Sequence, residues 1–173
     1  ENDYLEGRVR RKVYWGLYKL PQVHIENDKT LIEDGEIFYI HDIKIEAFLV
    51  PGHTWGHLVY LIDDAYLFTG DTIWFGADGG YAFLNTLAED RKLQSVSLKR
   101  LEEKLRKRNL SLKIITGHTG WTDDFEFAFR HVDEICNALR CKPKVQDPKA
   151  PYDGFDESGD TEDKARTAIL EKC

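Results

Sequence analysis

The sequence predicts an α/β chain, a sheet with flanking helices, and three observations predict it. Short apolar runs rich in Ile, Val, Leu and Phe recur over residues 37–69 and again at 112–115, and Gly, Pro and Asp turns separate them. Two other segments space their apolar residues three and four apart: Leu98, Leu101 and Leu105 in one, and Phe125, Ala128, Phe129, Val132, Ile135 and Leu139 in the other. Three of the strand-like runs end in a turn that carries a histidine or an aspartate.

Composition bounds the classes open to the chain. Its 173 residues are 42% hydrophobic and 32% charged with a net charge of -7, enough for one domain with a core of its own. An acidic balance argues against nucleic acid as a partner, because phosphates are met by clustered Lys and Arg. No apolar run approaches the roughly 20 residues of a membrane span. The three cysteines, Cys136, Cys141 and Cys173, are odd in number, and the five-residue spacing of the first two points them to different faces of a helix. Reduced thiols in a cytoplasmic protein are the simplest expectation.

The elements follow in order. Residues 1–21 are basic and aromatic, with Arg8, Arg10, Arg11 and Lys12 ahead of Tyr14, Trp15 and Tyr18, and read as a solvated connecting segment, the alternative being contact with an anionic ligand or another subunit. From Thr30 the pattern turns strand-like: a turn at Asp34-Gly35, a strand over 37–40, a turn at His41-Asp42 in which His41 is structural, and a strand over 43–50. In the last of these Ile43, Ile45, Ala47 and Leu49 alternate with Lys44, Glu46 and Phe48, giving one apolar and one mixed face. Pro51 ends the strand and Gly52 frees the backbone, which places His53 on a constrained turn. Residues 58–62 and 66–69 form a hairpin closed by Asp63-Asp64, and Gly70 breaks its second strand to present Asp71.

Residues 73–81 read as an aromatic, glycine-rich loop whose side chains either wall a pocket or pack in the core. A helix around 94–108 buries Leu98, Leu101 and Leu105. The strand at 112–115 ends in Thr116-Gly117-His118, and Thr122 and Asp123 cap a helix running through Phe125 to Leu139. Residues 143–173 form an acidic, turn-rich tail in which Thr161 caps a short helix, leaving 1–142 as the domain portion.

Three stretches concentrate the chemistry: Pro51-Gly52-His53-Thr54-Trp55-Gly56-His57, Leu67-Phe68-Thr69-Gly70-Asp71, and Thr116-Gly117-His118-Thr119. An imidazole, a carboxylate and a second imidazole on turns that follow strands are the nitrogen and oxygen donors of a zinc-type hydrolytic site. Each stretch is weak alone, and together in this order they are specific. Over roughly Ile37 to Leu139 the arrangement resembles the second half of the metallo-β-lactamase superfamily.

The resemblance implies the four-layered αββα fold, of which this chain would be the C-terminal half. It makes His53 a ligand of a first metal, Asp71 the catalytic carboxylate bridging two metals, and His118 a ligand of the second, with His57 standing behind the ligands. Thr54 and Thr119 either orient the two histidines through their hydroxyls or brace the turns. The family's upstream His-x-His-x-Asp-His motif is missing here, since no two of His24, His41, His53, His57, His118 and His131 stand two residues apart. The chain also opens on Glu1 and contains no Met. It therefore reads as a C-terminal fragment with half a ligand set, to which a full family member would add roughly a hundred residues. Half a layered fold leaves an apolar sheet face uncovered.

The function implied is hydrolysis of a small-molecule ester, thioester or similar substrate. One or two Zn²⁺ ions, with Fe or Mn as alternatives, would hold a bridging water and bring its pKa toward neutrality, the ions lying roughly 3.5 to 4 Å apart if two are bound. Relatives that cleave glutathione thioesters usually read Gly-His-Glu at the late turn, where this chain has Gly117-His118-Thr119. The alternatives are a catalytically inactive fragment or interaction module, and a di-iron oxidoreductase on the same scaffold. Nothing in the sequence indicates an oligomeric state.

Overall fold

The computed structural model describes residues 2–8, 12–13, 18–19, 21, 24–25, 30–82 and 88–135. A short helix α1 (Asn2–Leu5) precedes the small strand pair β1 (Lys12–Val13) and β2 (Tyr18–Lys19). Next come β3 (Ile37–Ile40), β4 (Ile43–Leu49), β5 (Leu58–Ile62) and β6 (Tyr66–Gly70), an antiparallel run. Strands β7 (Ile73–Phe75) and β8 (Gly80–Ala82) follow, then the long helix α2 (Arg91–Arg106), β9 (Lys113–Thr116), β10 (Trp121–Thr122), the short helix α3 (Phe125–Phe129) and β11 (His131–Ile135).

Two sheets carry the architecture. A six-stranded sheet has the order β10-β9-β6-β5-β4-β3, and a three-stranded sheet the order β11-β8-β7. Only β6 and β9 run parallel in the larger sheet. A parallel pair needs a long crossover, and α2 lies within that connection. Asp90 caps α2 by accepting from the Leu93 amide, while Lys104 and Arg106 in its last turn suit the negative end of the helix dipole.

The core lies on one face of the large sheet. Phe48, Val59, Leu61, Leu67 and Ile114 share that face by strand register, and with Val50 at the end of β4 they are buried in one cluster with Leu98, Leu101 and Leu105 of α2. The alternation in β4 is present, and the mixed face supplies part of the core. Phe48 of the mixed face points to the core, and the charges beside it are taken up by an ion network. Lys44 Nζ lies 2.7 Å from Asp64, and Arg108 lies 2.6 Å from Glu46 and 2.7 Å from Asp64.

The opposite face bears Phe38, Ile40, Ile45, Tyr60, Ile62 and Phe68, which with Ile32 line a shallow groove of about 500 Å³. Ile40 is 53% exposed and Phe68 40%. Among the described residues this apolar face of the sheet remains partly exposed.

Two expectations need correction, and a third gains detail. Residues 73–81 are not a loop but the β7–β8 hairpin, closed where the Gly76 amide donates to the Gly79 carbonyl. Gly70 ends β6 in a left-handed conformation (φ 54°), and a register shift between Phe68 and Gly70 forms the bulge after which Asp71 stands. The helix expected from Phe125 onward ends at Phe129, its N-cap is Asp124 rather than Thr122 or Asp123, and the chain continues as β11 beside β8. Buried Val132 satisfies the apolar spacing in either conformation, and pairing to β8, with His131 stacked 4.7 Å from Tyr81, selects the strand. Leu139, the cysteines, Tyr14, Trp15, and the tail with Thr161 lie outside the described residues.

Candidate metal centre

The three stretches singled out in the sequence meet at one end of the large sheet. The turn after β4 carries His53, the bulge ending β6 carries Asp71, and the turn after β9 carries His118. His53 Nε2 lies 3.7 Å from Asp71 Oδ2, and His118 Nε2 lies 3.4 Å from Asp71 Oδ1. Each carboxylate oxygen thus faces a different imidazole. Burial grades across the site: the side chain of His53 is 15% exposed, that of Asp71 37% and that of His118 54%.

Backbone packing sets these positions. The Gly117 amide donates to the Gly70 carbonyl at 2.8 Å, joining the Asp71 and His118 turns. A Cβ on Gly117 would stand 2.1 Å from Asp71 Oδ1, so only glycine leaves room for the carboxylate. The His53 turn is held from the other side, where the amides of Glu89 and Asp90 donate to the carbonyls of His53 and Gly52 and the Glu89 carboxylate accepts from the Trp55 amide.

The remaining candidates sit around the three donors. His57 Nε2 donates to the Thr69 carbonyl at 2.9 Å, and its ring meets the edge of His53 with centroids 5.7 Å apart. Thr119 does not reach His118. Its hydroxyl accepts from the Phe75 amide and bonds Thr116 Oγ1, bracing the turn instead. Trp74 lies beside His118, its ring centroid 6.1 Å away, whereas Phe75 is in the core and Tyr81 is buried, so one aromatic of the hairpin borders the site.

The donor chemistry fits a divalent metal as a partial set. Two donors bound at about 2.1 Å to one tetrahedral ion stand about 3.4 Å apart, close to both separations at Asp71. Among the described residues no group of three His, Cys, Asp or Glu side chains surrounds a single point, in keeping with histidines that address different oxygens. Sequence reasoning missed Gly117 as a spacer and Gln94 as a buried neighbour of these turns. The Thr-Gly-His string held the signal for the first, and a large polar residue four positions before Leu98 on the buried stripe of α2 held it for the second.

The fold defines a class. The chain carries the metallo-β-lactamase fold and resembles the C-terminal part of that superfamily's members. An archaeal metallo-β-lactamase superfamily protein from Sulfolobus tokodaii superposes with a TM-score of 0.51 at 19% identity, covering 91% of this chain and 55% of that one. In sequence, the hydroxyacylglutathione hydrolase of Pelagibacter ubique is 28% identical over 152 residues, 85% of this chain and 59% of that protein. A probable polyketide biosynthesis zinc-dependent hydrolase of Bacillus velezensis is 41% identical over 59 residues, 34% of this chain and 26% of that protein. The chain thus spans little more than half the length of the longer of these relatives. No family model matches it. No helix among the described residues is long and apolar enough to cross a membrane.

Proposed function

We propose that the chain contributes His53, Asp71 and His118 to the metal centre of a zinc hydrolase acting on small-molecule thioesters or esters. The observation that carries this is the placement of one imidazole against each oxygen of Asp71, at 3.7 and 3.4 Å. A carboxylate flanked in this way is arranged to bridge two cations. The similarity to a hydroxyacylglutathione hydrolase and to a zinc-dependent hydrolase supports the reaction class.

When bound, the ions supply Lewis-acid polarisation of the scissile carbonyl and a water acidic enough to ionise near neutral pH. The chain's own residues prepare the place. Asp71 would supply negative charge to bound ions, and a bulge and a glycine contact hold it in place. His57 keeps its Nε2 proton on the Thr69 carbonyl and so braces the strand end ahead of Asp71. Trp74 offers an apolar surface next to His118 for the acyl portion of a substrate.

The test is metal content and turnover of the purified protein with S-lactoylglutathione, an acyl-coenzyme A and a nitrophenyl ester. Zinc uptake with hydrolysis of at least one of these, both lost in Asp71→Asn, is the expected result. A protein that hydrolyses nothing and is untouched by Asp71→Asn would overturn the reading in favour of a metal-free interaction module.

A further inference from the structure

Gln94 lies in the first turn of α2 and is 1% exposed, on a buried helix face that it shares with Ser97, Leu98, Leu101 and Leu105. Burying a carboxamide costs free energy unless its groups find partners. Its side-chain Nε2 donates to the carbonyl of Thr72 at 3.0 Å, and Thr72 directly follows Asp71. Thr72 is itself fully buried and tied back to Thr69 by both its amide and its hydroxyl.

The other side of the same residue supports the His53 turn. Gly52, at φ 138°, rests against the Gln94 backbone so closely that a Cβ there would lie 2.3 Å from Gln94 Cα and N. The Gly52 carbonyl accepts from Asp90, the N-cap of α2, whose own carbonyl accepts from the Gln94 amide. One residue therefore touches the turn bearing His53 through its backbone and the turn bearing Asp71 through its side chain.

We infer that Gln94 is a positioning residue, a strut that sets the separation of the His53 and Asp71 turns and through it the metal affinity of the site. The inference rests on the metal-centre reading and deepens it. The side chain touches no donor atom; it acts by fixing the backbone on which two donors sit. Removing the amide while keeping the volume frees the Asp71 turn to drift relative to His53. Groups behind metal ligands lower affinity about 10- to 100-fold when lost, and the same range applies here.

The experiment compares zinc affinity, by competition with a chromophoric chelator, in wild type, Gln94→Met and Leu98→Ala, alongside the thermal midpoint of each metal-free protein. Met keeps the length of the side chain and removes the donor; Gln94→Leu serves if that variant does not fold. Leu98 is fully buried in the core on the same helix, so its truncation reports what lost stability alone does to binding. The expected result is a 10- to 100-fold weaker affinity in Gln94→Met, with Leu98→Ala binding as wild type does despite a lower midpoint. Equal affinity in wild type and Gln94→Met, or a loss matched by Leu98→Ala, overturns the strut. Wild type that takes up no zinc fails earlier and overturns the metal-centre reading together with it.

Discussion

Replacing Gly117 with alanine separates the site from the fold. The new Cβ would stand 2.1 Å from Asp71 Oδ1, where ordinary contact begins at 3.4 Å. The carboxylate oxygen must therefore retreat by at least about 1 Å to relieve the repulsion. The turn itself resists movement, because the Gly117 amide is bonded to the Gly70 carbonyl at 2.8 Å and that carbonyl lies 3.3 Å from the same Cβ. Gly117 also has no left-handed backbone angle, so alanine adds no strain of its own there.

The Asp71 side chain is 37% exposed and can swing toward solvent. The cost to folding is then a rotamer penalty of about 1 kcal/mol, a drop of about 2–4 °C in the midpoint of a domain this size. The metal suffers more: with Oδ1 displaced from His118, zinc affinity falls about 10- to 100-fold. Chelator competition and a thermal melt of the metal-free protein measure the two effects. Wild-type affinity in Gly117→Ala would refute the assignment of that oxygen as a ligand, and a failure to fold would refute the claim that Asp71 is the part that yields.

Other substitutions reach different parts of the structure. Gly52→Ala drives a Cβ to 2.3 Å from the α2 backbone at a φ that L side chains rarely adopt; it should cost about 4 kcal/mol or more in urea denaturation. Leu98→Ala removes a fully buried side chain and should cost about 2–5 kcal/mol by the same measurement. The hydrogen bond from Lys44, aided by Arg108, holds the Asp64 carboxyl below the usual carboxylate range. A lowered folded-state pKa contributes stability that is present at neutral pH and lost as pH falls, so Asp64→Asn should be less stable than wild type at pH 7 and indistinguishable from it well below about pH 4. Phe68→Ser, in the groove of about 500 Å³ on the uncovered sheet face, should reduce binding of a hydrophobic dye at a stability cost of about 0.5 kcal/mol or less; unchanged dye binding would mean that face is covered in solution.

Strands 37–40, 43–49, 58–62 and 66–70 were legible because each is an apolar run bounded by a turn with its own backbone chemistry, down to the left-handed Asp63 and Asp64 that close the hairpin. Helix α2 was legible from three leucines at helical spacing. The segment 125–135 was not, because a period of three to four describes a short helix followed by a buried strand as well as one long helix, and only pairing to β8 separates them. The hairpin at 73–82 was hidden for a related reason: with three glycines and three aromatics its local pattern is that of a loop, and its strands exist through Ile73↔Ala82 and Trp74↔Tyr81 pairing.

The sequence by itself determined the α/β class and singled out His53, Asp71 and His118 as candidate donors, since turns locked by Pro and Gly after apolar runs are local features. Tertiary structure alone decided which face of β4 is buried, that each Asp71 oxygen meets a different histidine, that Gly117 is the spacer, and that Gln94 spans two turns. Those are distances between residues far apart in the chain, and they are set by packing and strand register, which no local pattern encodes.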